Sequence, residues 1–180
     1  MIDHGNWDMV AVARQRMTRT AVEALAPLGK FRPSGYPRVL IGLAGAGFET
    51  LDAAMTKLAG LAGLTHSLVR IQALERVVPF ERADVTEALC LALDGAGRRF
   101  AGKSFHVRSR LRGMKGRLES PTVERALGAF LVERAAAVGE EPRVSFDDPD
   151  LIVAIEVIGR RVGYAILDRD IRGHELVRIR

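Results

Sequence analysis

The segment SFHVRSRLRGMKGR, residues 104–117, alternates apolar and polar side chains and then meets two glycines. Because successive side chains of a strand point to opposite faces, this alternation predicts a strand over Ser104–Leu111. Its apolar face carries Phe105, Val107 and Leu111, and its other face carries His106, Arg108, Arg110 and Arg112. Gly113 and Gly116 bracket a predicted turn. We therefore expect a strand with one buried and one basic face.

The positive charge of the protein is concentrated around this strand. The chain has 27 Lys and Arg against 22 Asp and Glu, a formal net charge of +5. The 24 residues between Asp94 and Glu119 contain no acid and hold eight of the bases, which are Arg98, Arg99, Lys103, Arg108, Arg110, Arg112, Lys115 and Arg117. Without these eight, 19 bases face 22 acids, a net charge of −3. A localised basic surface attracts polyanions and raises their local concentration.

The basic face has two interpretations. Arginines two positions apart on a strand are about 7 Å apart, a spacing that resembles the phosphates of a nucleic-acid strand. A helix predicted to begin at Ser120-Pro121 places its N-terminus, which favours phosphate, just beyond the turn. The alternative is a solvated face whose arginines pair with acids from other segments. We favour nucleic acid, and the candidate contacts in this region are Lys103, Arg108, Arg110, Arg112, Lys115 and Arg117.

A second basic group, Arg14, Arg16 and Arg19, lies between the first predicted strand and the first predicted helix. Cations at a helix N-terminus oppose the helix dipole by about 0.3–1 kcal/mol each. A bound phosphate would offset that cost, whereas exposure and salt would make it negligible. The sequence leaves both explanations open.

The bulk properties indicate an ordinary globular protein. A length of 180 residues allows one domain or two small ones, and the hydrophobic and charged contents are 48% and 27%. The single cysteine, Cys90, excludes an intrachain disulfide and a cysteine-based zinc site. The N-terminus resembles no secretory signal, and no apolar run reaches the roughly 20 residues that span a bilayer. We expect a cytoplasmic protein without a membrane segment.

The apolar periodicity predicts an α+β fold. The first half is expected to be β-α-β-α-β, with strands at Trp7–Ala13, Phe31–Ala44 and Leu68–Phe80 and helices at Thr18–Leu28 and Phe48–Ala62. The second half is expected to hold a helix at Asp84–Arg99, the basic strand, a helix from Ser120 as N-cap to Gly139 as C-cap, and a hairpin of Leu151–Ile158 with Val162–Leu167. The boundary between the halves is predicted near Pro79–Arg82.

The sequence gives no pattern typical of an enzyme active site. Gly42–Gly47 lies between a strand and a helix, but its spacing is GxxGxG and not the GxGxxG of dinucleotide-binding turns, so it favours a plain turn. The four histidines have no metal-ligand spacing. The acidic segment Asp147–Asp150 predicts a turn before a strand. We expect no catalytic residue, no metal site and no cofactor.

Three stretches together resemble a THUMP domain, an RNA-binding module of tRNA-modifying enzymes. Ser104–Gly113 is similar to the family's Phe-x-Val-Arg strand with its following glycine, and Ser120–Gly128 to its glycine-containing helix. Val144–Asp150 is similar to its Asn/Asp-Pro-Asp entry into a strand. The stretches follow the family order over roughly residues 80–170. One departure is Leu111, where many members have another basic residue.

The resemblance has implications for the whole chain. THUMP domains follow a ferredoxin-like domain, so it implies a ferredoxin-like domain at residues 1–79, an α/β THUMP domain at 80–170 and a polar tail at 171–180. Phe31–Ile41 is similar to the second strand of stand-alone THUMP proteins, the adaptors that assist tRNA cytidine N4-acetylation. The implied residue roles are RNA contact for Arg108, Arg110, Arg112, Lys115 and Arg117, a second RNA surface for Arg14, Arg16 and Arg19, close packing for Gly128, and a structural role for Asp148-Pro149-Asp150.

We therefore expect a non-catalytic adaptor that binds tRNA and presents it to a separate modifying enzyme, such as an RNA cytidine acetyltransferase. Two other classes of protein stay open. One is a small enzyme or ligand-binding protein built on two ferredoxin-like units, with an anionic ligand at the Gly42–Gly47 turn. The other is a structural subunit whose basic strand docks an acidic protein.

Overall fold

The computed structural model describes residues 6–44, 51–59, 63–81 and 85–177. The chain divides into two compact units, Met1–Glu75 together with Asp170–Arg180, and Arg76–Arg169. The division after Glu75 lies four residues before the boundary drawn from the sequence. Residues 170–180, which the sequence set apart as a tail, are counted with the first unit, where the Ile71 N–H donates to the Leu176 carbonyl at 2.9 Å.

The first unit is a four-stranded antiparallel sheet with helices in its connections. Its elements are β1 (Met9–Ala13), α1 (Thr18–Leu25), β2 (Gly29–Pro33), β3 (Val39–Ala44), α2 (Leu51–Ala59), α3 (Leu64–Ser67) and β4 (Leu68–Ala73). The strand order is β2-β3-β1-β4, and β1 pairs antiparallel with both β3 and β4. The main elements thus follow the β-α-β-β-α-β succession of a ferredoxin-like unit.

This unit has one strand more than the sequence predicted. The segment Phe31–Ala44, expected to be extended, turns back on itself, so that β2 and β3 form an antiparallel pair. Gly35 takes a φ of +85° in the turn, and the Ser34 hydroxyl donates to the Val39 carbonyl at 2.9 Å. The Pro and Gly residues that exclude a helix here also mark this turn.

The predicted strand Leu68–Phe80 is wrong as a single element. It contains β4, in the first sheet, and β5 (Arg76–Pro79), in the sheet of the second unit. Between them the Leu74 N–H donates to the Asp8 carbonyl at 2.9 Å, which fastens the end of β4 beside β1. Apolar residues recur on both sides of the break, and periodicity alone therefore does not show it.

The second unit is a five-stranded mixed sheet with helices on one face. After β5 its elements are α4 (Val85–Leu93), α5 (Gly97–Phe100), β6 (Ser104–Arg112), α6 (Ser120–Ala136), β7 (Arg143–Val144), β8 (Leu151–Ile158) and β9 (Arg161–Leu167). A short helix, α7 (Arg169–Arg172), begins at the last residue of this unit, and its other residues are counted with the first unit. The strand order is β5-β9-β8-β6-β7. The β6 strand runs parallel to β7 and β8, and the other pairs are antiparallel. The predicted α+β class, the basic strand and the β8–β9 hairpin are confirmed.

The core of the second unit lies between this sheet and α4 and α6. Phe105 and Val107 of β6 are buried there, and Leu111 packs partly buried against the same core. The facing stripe of α6, Val123, Leu127 and Leu131, has no exposed surface. The apolar face predicted for the strand over Ser104–Leu111 is therefore confirmed.

Both predicted ends of the long helix α6 are wrong. Glu119 occupies the N-cap position, and the Ser120 hydroxyl donates to the Ser109 carbonyl at 3.3 Å instead of capping its own helix. The C-cap is Ala137 in a right-handed conformation, two residues before Gly139. A Cβ on Gly139 would lie 2.9 Å from Ala101 Cβ, so close approach explains this glycine better than capping.

The close-packing glycine of the helical layer is Gly97 and not Gly128. A Cβ built on Gly97, at the start of α5, would collide with the backbone carbonyl of Arg134 in α6. A Cβ on Gly128 would meet no atom within 4 Å. Gly128 lies in the middle of α6 and leaves open space beside the helix.

Replacing Gly128 with Ala should stabilise the protein. Alanine costs less conformational entropy than glycine in a helix, so we expect Gly128→Ala to raise the free energy of unfolding by about 0.5–1 kcal/mol. Urea denaturation monitored by circular dichroism would measure the change. The matched variant Gly97→Ala should lower the free energy of unfolding because its Cβ meets backbone. A destabilising Gly128→Ala would show that this site is packed after all.

Asp150 joins the starts of two neighbouring strands. Its Oδ2 accepts from the Ser104 N–H at 2.8 Å and from the Ser104 hydroxyl at 2.7 Å, and its own N–H donates to the Ser104 Oγ at 2.9 Å. Arg169 Nη1 lies 3.0 Å from Asp150 Oδ1. The hydrogen bond from the Ser104 hydroxyl is the main reason that the pKa of Asp150 is lowered from its ordinary value. This aspartate thus has the structural role that the family resemblance implied.

The Asp150 contacts should stabilise the protein in a pH-dependent manner. A carboxylate whose pKa is lower in the folded than in the unfolded state contributes stability above its unfolded pKa of about 3.9, and this is lost as pH falls through the folded value. We expect Asp150→Asn to be less stable than the wild type at pH 6, and the difference to shrink below about pH 4. Urea denaturation from pH 2 to pH 7 would measure this. A difference that is constant across the range would contradict the assignment, and Ser104→Ala should reduce the same pH dependence.

Candidate nucleic-acid interface

The three arginines of β6 alternate along the strand as predicted, and each has an acidic neighbour. Arg108 Nη1 lies 4.0 Å from Glu124 Oε2, and Arg110 Nη1 lies 3.7 Å from Glu156 Oε1. Arg112 Nη1 contacts the other oxygen of Glu156. The exposed fractions of the three side chains fall along the strand, from 38% to 26% to 17%. Pairing with acids from other segments, the alternative interpretation of this face, is thus realised at all three positions.

Glu156 is the central acid of this cluster, and the sequence reasoning did not single it out. It lies in β8 directly opposite Arg110 in the parallel register, and its side chain has no exposed surface. A buried carboxylate is strongly destabilising unless it is paired. Arg110 and Arg112 supply the pairing from one side. The sequence feature that could have identified Glu156 is its position as the one acid inside the apolar run Leu151–Ile158, LIVAIEVI.

Glu124 accepts a hydrogen bond from a backbone N–H group on the edge of β6 that β8 does not cover. Its Oε1 accepts from the Ser109 N–H at 2.7 Å and from the Ser109 hydroxyl at 3.2 Å. The Ser120 hydroxyl donates to the Ser109 carbonyl. The short strand β7 covers only the start of this edge, at Ser104 and Phe105. Side chains of α6 thus bond backbone groups that an uncovered edge strand would offer to other chains.

The turn after β6 carries cations that differ from the strand arginines in their exposure and in their acidic neighbours. Gly113 and Gly116 take φ values of +84° and +74°, and the Arg117 N–H donates to the carbonyl of the buried Met114, which anchors the turn. Lys115 and Arg117 are exposed. Within the part of the chain that the structure describes, neither has an acidic group within 4 Å. These two side chains are available to an anionic ligand.

The remaining predicted contacts lie elsewhere. Lys103 is exposed just before β6, and at about 3.3 Å per residue the nine-residue strand separates it from the turn by nearly 30 Å. The second basic group belongs to the first unit, with Arg14 and Arg16 between β1 and α1 and Arg19 in the first turn of α1. There Arg14 Nε donates to the Thr65 carbonyl at 3.0 Å, Arg16 is exposed, and Arg19 pairs with Glu23 at 3.0 Å. No acid occupies the first turn of α1, as the sequence indicated.

A groove of about 480 Å³ lies between β6, the start of α6 and the β7 segment. Its lining includes Phe105, Val107, Gly128, Val132, Val144 and Phe146. Phe146 is 71% exposed and stacks on His106, with ring centroids 5.5 Å apart. The His106 Nδ1 lies 2.9 Å from the Ser145 carbonyl, which fixes the imidazole beside the phenyl ring. This apolar surface was not predicted, because its residues come from three separate segments.

Cys90 and the possible metal ligands are the groups of the described residues with the greatest potential for chemistry. Burial raises the pKa of the Cys90 thiol, which favours its neutral form over the nucleophilic thiolate. Across residues 6–44, 51–59, 63–81 and 85–177 no group of three His, Cys, Asp or Glu residues is placed to hold a metal ion. None of the helices in those ranges is both long and apolar enough to cross a membrane. Residues 45–47 of the predicted Gly42–Gly47 turn lie outside the described residues.

Arg112 should be required for stability. Arg112→Ala removes the shorter of the two ion-pair contacts that Glu156 makes with β6 and keeps the longer one, to Arg110. Breaking a buried ion pair costs about 3–5 kcal/mol. Because one arginine remains, we expect a loss near the lower end, about 3 kcal/mol, in urea denaturation. Adding Glu156→Gln to Arg112→Ala should restore part of the loss by removing the unpaired charge. A loss below about 1 kcal/mol for Arg112→Ala would show that Glu156 is compensated without it.

Known proteins resemble this chain both in sequence, through one family model, and in fold, through several solved structures. A protein-family model described as the THUMP domain matches residues 78–166, about half of the chain. The search of curated proteins found no match. Among solved structures, PH1313 from Pyrococcus horikoshii Ot3 aligns with a TM-score of 0.57 and 14% identity, over 88% of this chain and 53% of that one.

Two further solved structures show the same fold. One is a 4-thiouridine synthetase in complex with RNA and ATP, with a TM-score of 0.55, 16% identity and coverage of 88% of this chain and 40% of that one. The other is TrmN from Thermus thermophilus, with a TM-score of 0.55, 21% identity and coverage of 88% and 44%. This chain thus spans about half or less of the length of the structures it matches. The strand, turn, helix and hairpin that hold the candidate site all lie within the matched residues, and the chain contains a THUMP domain.

Proposed function

We propose that this protein binds tRNA without modifying it and presents the bound tRNA to a separate modifying enzyme. The observation that carries the proposal is the position of the basic segment inside the THUMP domain. The six candidate contacts of this segment, from Lys103 to Arg117, lie within residues 78–166. Two of the structurally similar proteins, the 4-thiouridine synthetase bound to RNA and TrmN, share the fold around this segment.

The chemistry of the exposed bases suits a phosphate backbone. Guanidinium and ammonium groups bind phosphate oxygens, and guanidinium groups do so with two parallel hydrogen bonds. Such contacts position RNA and give affinity but do not read its sequence. Double-stranded RNA is recognised mainly by its shape and by its phosphate and ribose groups. We infer that the protein recognises tRNA by shape, through several phosphate contacts.

The proposed adaptor role is supported by the kinds of side chain that the described residues bring together. The described residues provide cations and an apolar groove, and none of their His, Cys, Asp and Glu side chains form a group of three that could hold a metal ion. A separate enzyme would then supply the chemistry. By family resemblance we propose cytidine N4-acetylation as the modification that this adaptor assists.

Binding of tRNA should depend on the exposed bases of the turn. The full-length protein should bind unmodified tRNA with an affinity that falls steeply with KCl concentration. The variant Lys115→Ala/Arg117→Ala should lower the slope of log K against log[KCl] by roughly 0.7–0.9 per lost phosphate contact. Its fold should be intact because both side chains are exposed. Filter binding between 50 and 300 mM KCl would measure the slope. A parent that does not bind tRNA, or a variant with an unchanged slope, would refute the proposed interface.

The adaptor role needs a second measurement. Purified protein incubated with unmodified tRNA and acetyl-CoA plus ATP, or with S-adenosylmethionine, should leave the nucleosides unchanged by mass spectrometry. Deleting the gene should reduce one tRNA modification in the cell, which we expect to be N4-acetylcytidine. A modified nucleoside that forms with the purified protein alone would show that the protein is itself an enzyme.

A further inference from the structure

The register of the second sheet brings two basic turns to one end. Arg112 of β6 is aligned with Ile158 of β8, and Ile158 is aligned with Arg161 of β9. Because neighbouring strands are about 4.8 Å apart, the Cα atoms of Arg112 and Arg161 lie about 10 Å apart on one row. The β8–β9 turn at Gly159 and Arg160 therefore lies at the same end of the sheet as the turn that follows β6. The sequence reasoning did not include this hairpin among the candidate contacts.

We infer that RNA phosphates are bound at this end of the sheet, by a cationic rim formed by Lys115, Arg117, Arg160 and Arg161, while Arg110 and Arg112 of the strand face serve to hold Glu156. The inference rests on the proposed function, RNA binding, and changes where on the domain the RNA is expected to bind. It adds the β8–β9 hairpin as a binding element.

The ion pairs distinguish the rim from the strand face. All three strand arginines have an acidic group within 4 Å, and two of them share the buried Glu156. For the four rim cations, no ion-pair partner occurs within 4 Å in the described parts of the chain. If a guanidinium moved from Glu156 to a phosphate, the buried carboxylate would lose a counter-charge, and this loss costs free energy. A rim cation can bind phosphate without breaking an ion pair to any described residue.

Exposure and backbone geometry at the rim favour a bulky anion. Lys115, Arg117 and Arg160 are exposed, and Arg161 is half-buried. Gly159 takes a φ of +63°, which lets β8 and β9 reverse tightly and projects Arg160 from the tip. At Gly116 an added Cβ would meet no atom within 4 Å, so the turn is open to a ligand.

The rim keeps an excess of positive charge. Within the described part of the chain, the exposed acids next to its segments are Glu81 and Glu119. Glu81 follows Phe80, whose N–H donates to the Arg160 carbonyl, and Glu119 precedes α6. Two acids against the four rim cations leave a net positive surface. An acidic protein could be attracted to it as well, but RNA is favoured because these turns belong to the matched THUMP domain.

Arg160 provides the sharpest test because it is exposed and lies at a hairpin tip. In the full-length protein, Arg160→Ala should lower the log–log KCl slope for tRNA binding by roughly 0.7–0.9, and Arg160→Glu should weaken binding at 100 mM KCl by about tenfold. The matched control is Arg98→Glu, an exposed arginine on α5 at the opposite end of β6. It should change affinity much less. Circular dichroism and urea denaturation would verify that the variants are folded.

The outcomes separate this inference from the proposed function. If the parent binds tRNA and Arg160→Glu binds as the parent does, the rim is refuted and the proposed function stands. If Arg98→Glu weakens binding as much as Arg160→Glu, the effect is one of overall charge and the rim is also refuted. If the parent binds polyglutamate but not tRNA, both proposals fail. Ultraviolet cross-linking of the parent to tRNA should label peptides from 113–118 and 159–161, independently of any variant, and cross-links confined to other segments would overturn the rim.

Discussion

A carboxylate without exposed surface, Glu156, lies in the middle of the second sheet, and the arrangement of the basic strand depends on it. Arg110 and Arg112 approach this carboxylate from the adjacent parallel strand, and their positive charges offset the cost of burying it. The pairing holds only in the observed register of β6 and β8, since a shift by one residue would turn both arginines to the apolar face. Glu156 therefore contributes to the specificity of the fold as well as to the position of two cations.

This constraint reconciles the two interpretations of the basic face. Charge alone cannot tell an arginine that binds a ligand from one that neutralises a buried acid, because both occur as the same residue type at the same strand spacing. The structure separates them by partner and exposure. Side-chain exposure falls from Arg108 to Arg112 along the strand, whereas Lys115 and Arg117, only a few residues further, are exposed. The stretch without acids thus contains both structural and ligand-accessible cations.

Local patterns were sufficient to predict most of the second unit. The alternation in Ser104–Leu111 and the two apolar runs Leu151–Ile158 and Val162–Leu167 are signals contained within a few residues, and both the strand and the hairpin are present as predicted. The break between β4 and β5 was missed because the chain passes from one sheet to another without interrupting its apolar pattern. The role of Glu156 was missed because its partners lie 44 and 46 residues away in the chain. Pairings of this kind follow from the register between distant strands, which a single sequence does not specify.

The two glycines of the helical layer are a second case in which the sequence alone does not show the structural role of a residue. The sequence shows the same residue type at positions 97 and 128. In the structure, Gly97 allows the backbones of α5 and α6 to approach each other, whereas Gly128 leaves open space beside α6. The space at Gly128 belongs to the groove beside Phe146, and a larger side chain on this helix face would narrow it. Glycine is costly in the middle of a helix, by roughly 0.5–1 kcal/mol relative to alanine. Among the described residues, no atom lies close enough to an added Cβ to require glycine at position 128. The groove beside it is apolar and the rim at the end of the sheet is cationic, so the domain carries two surfaces of different chemistry.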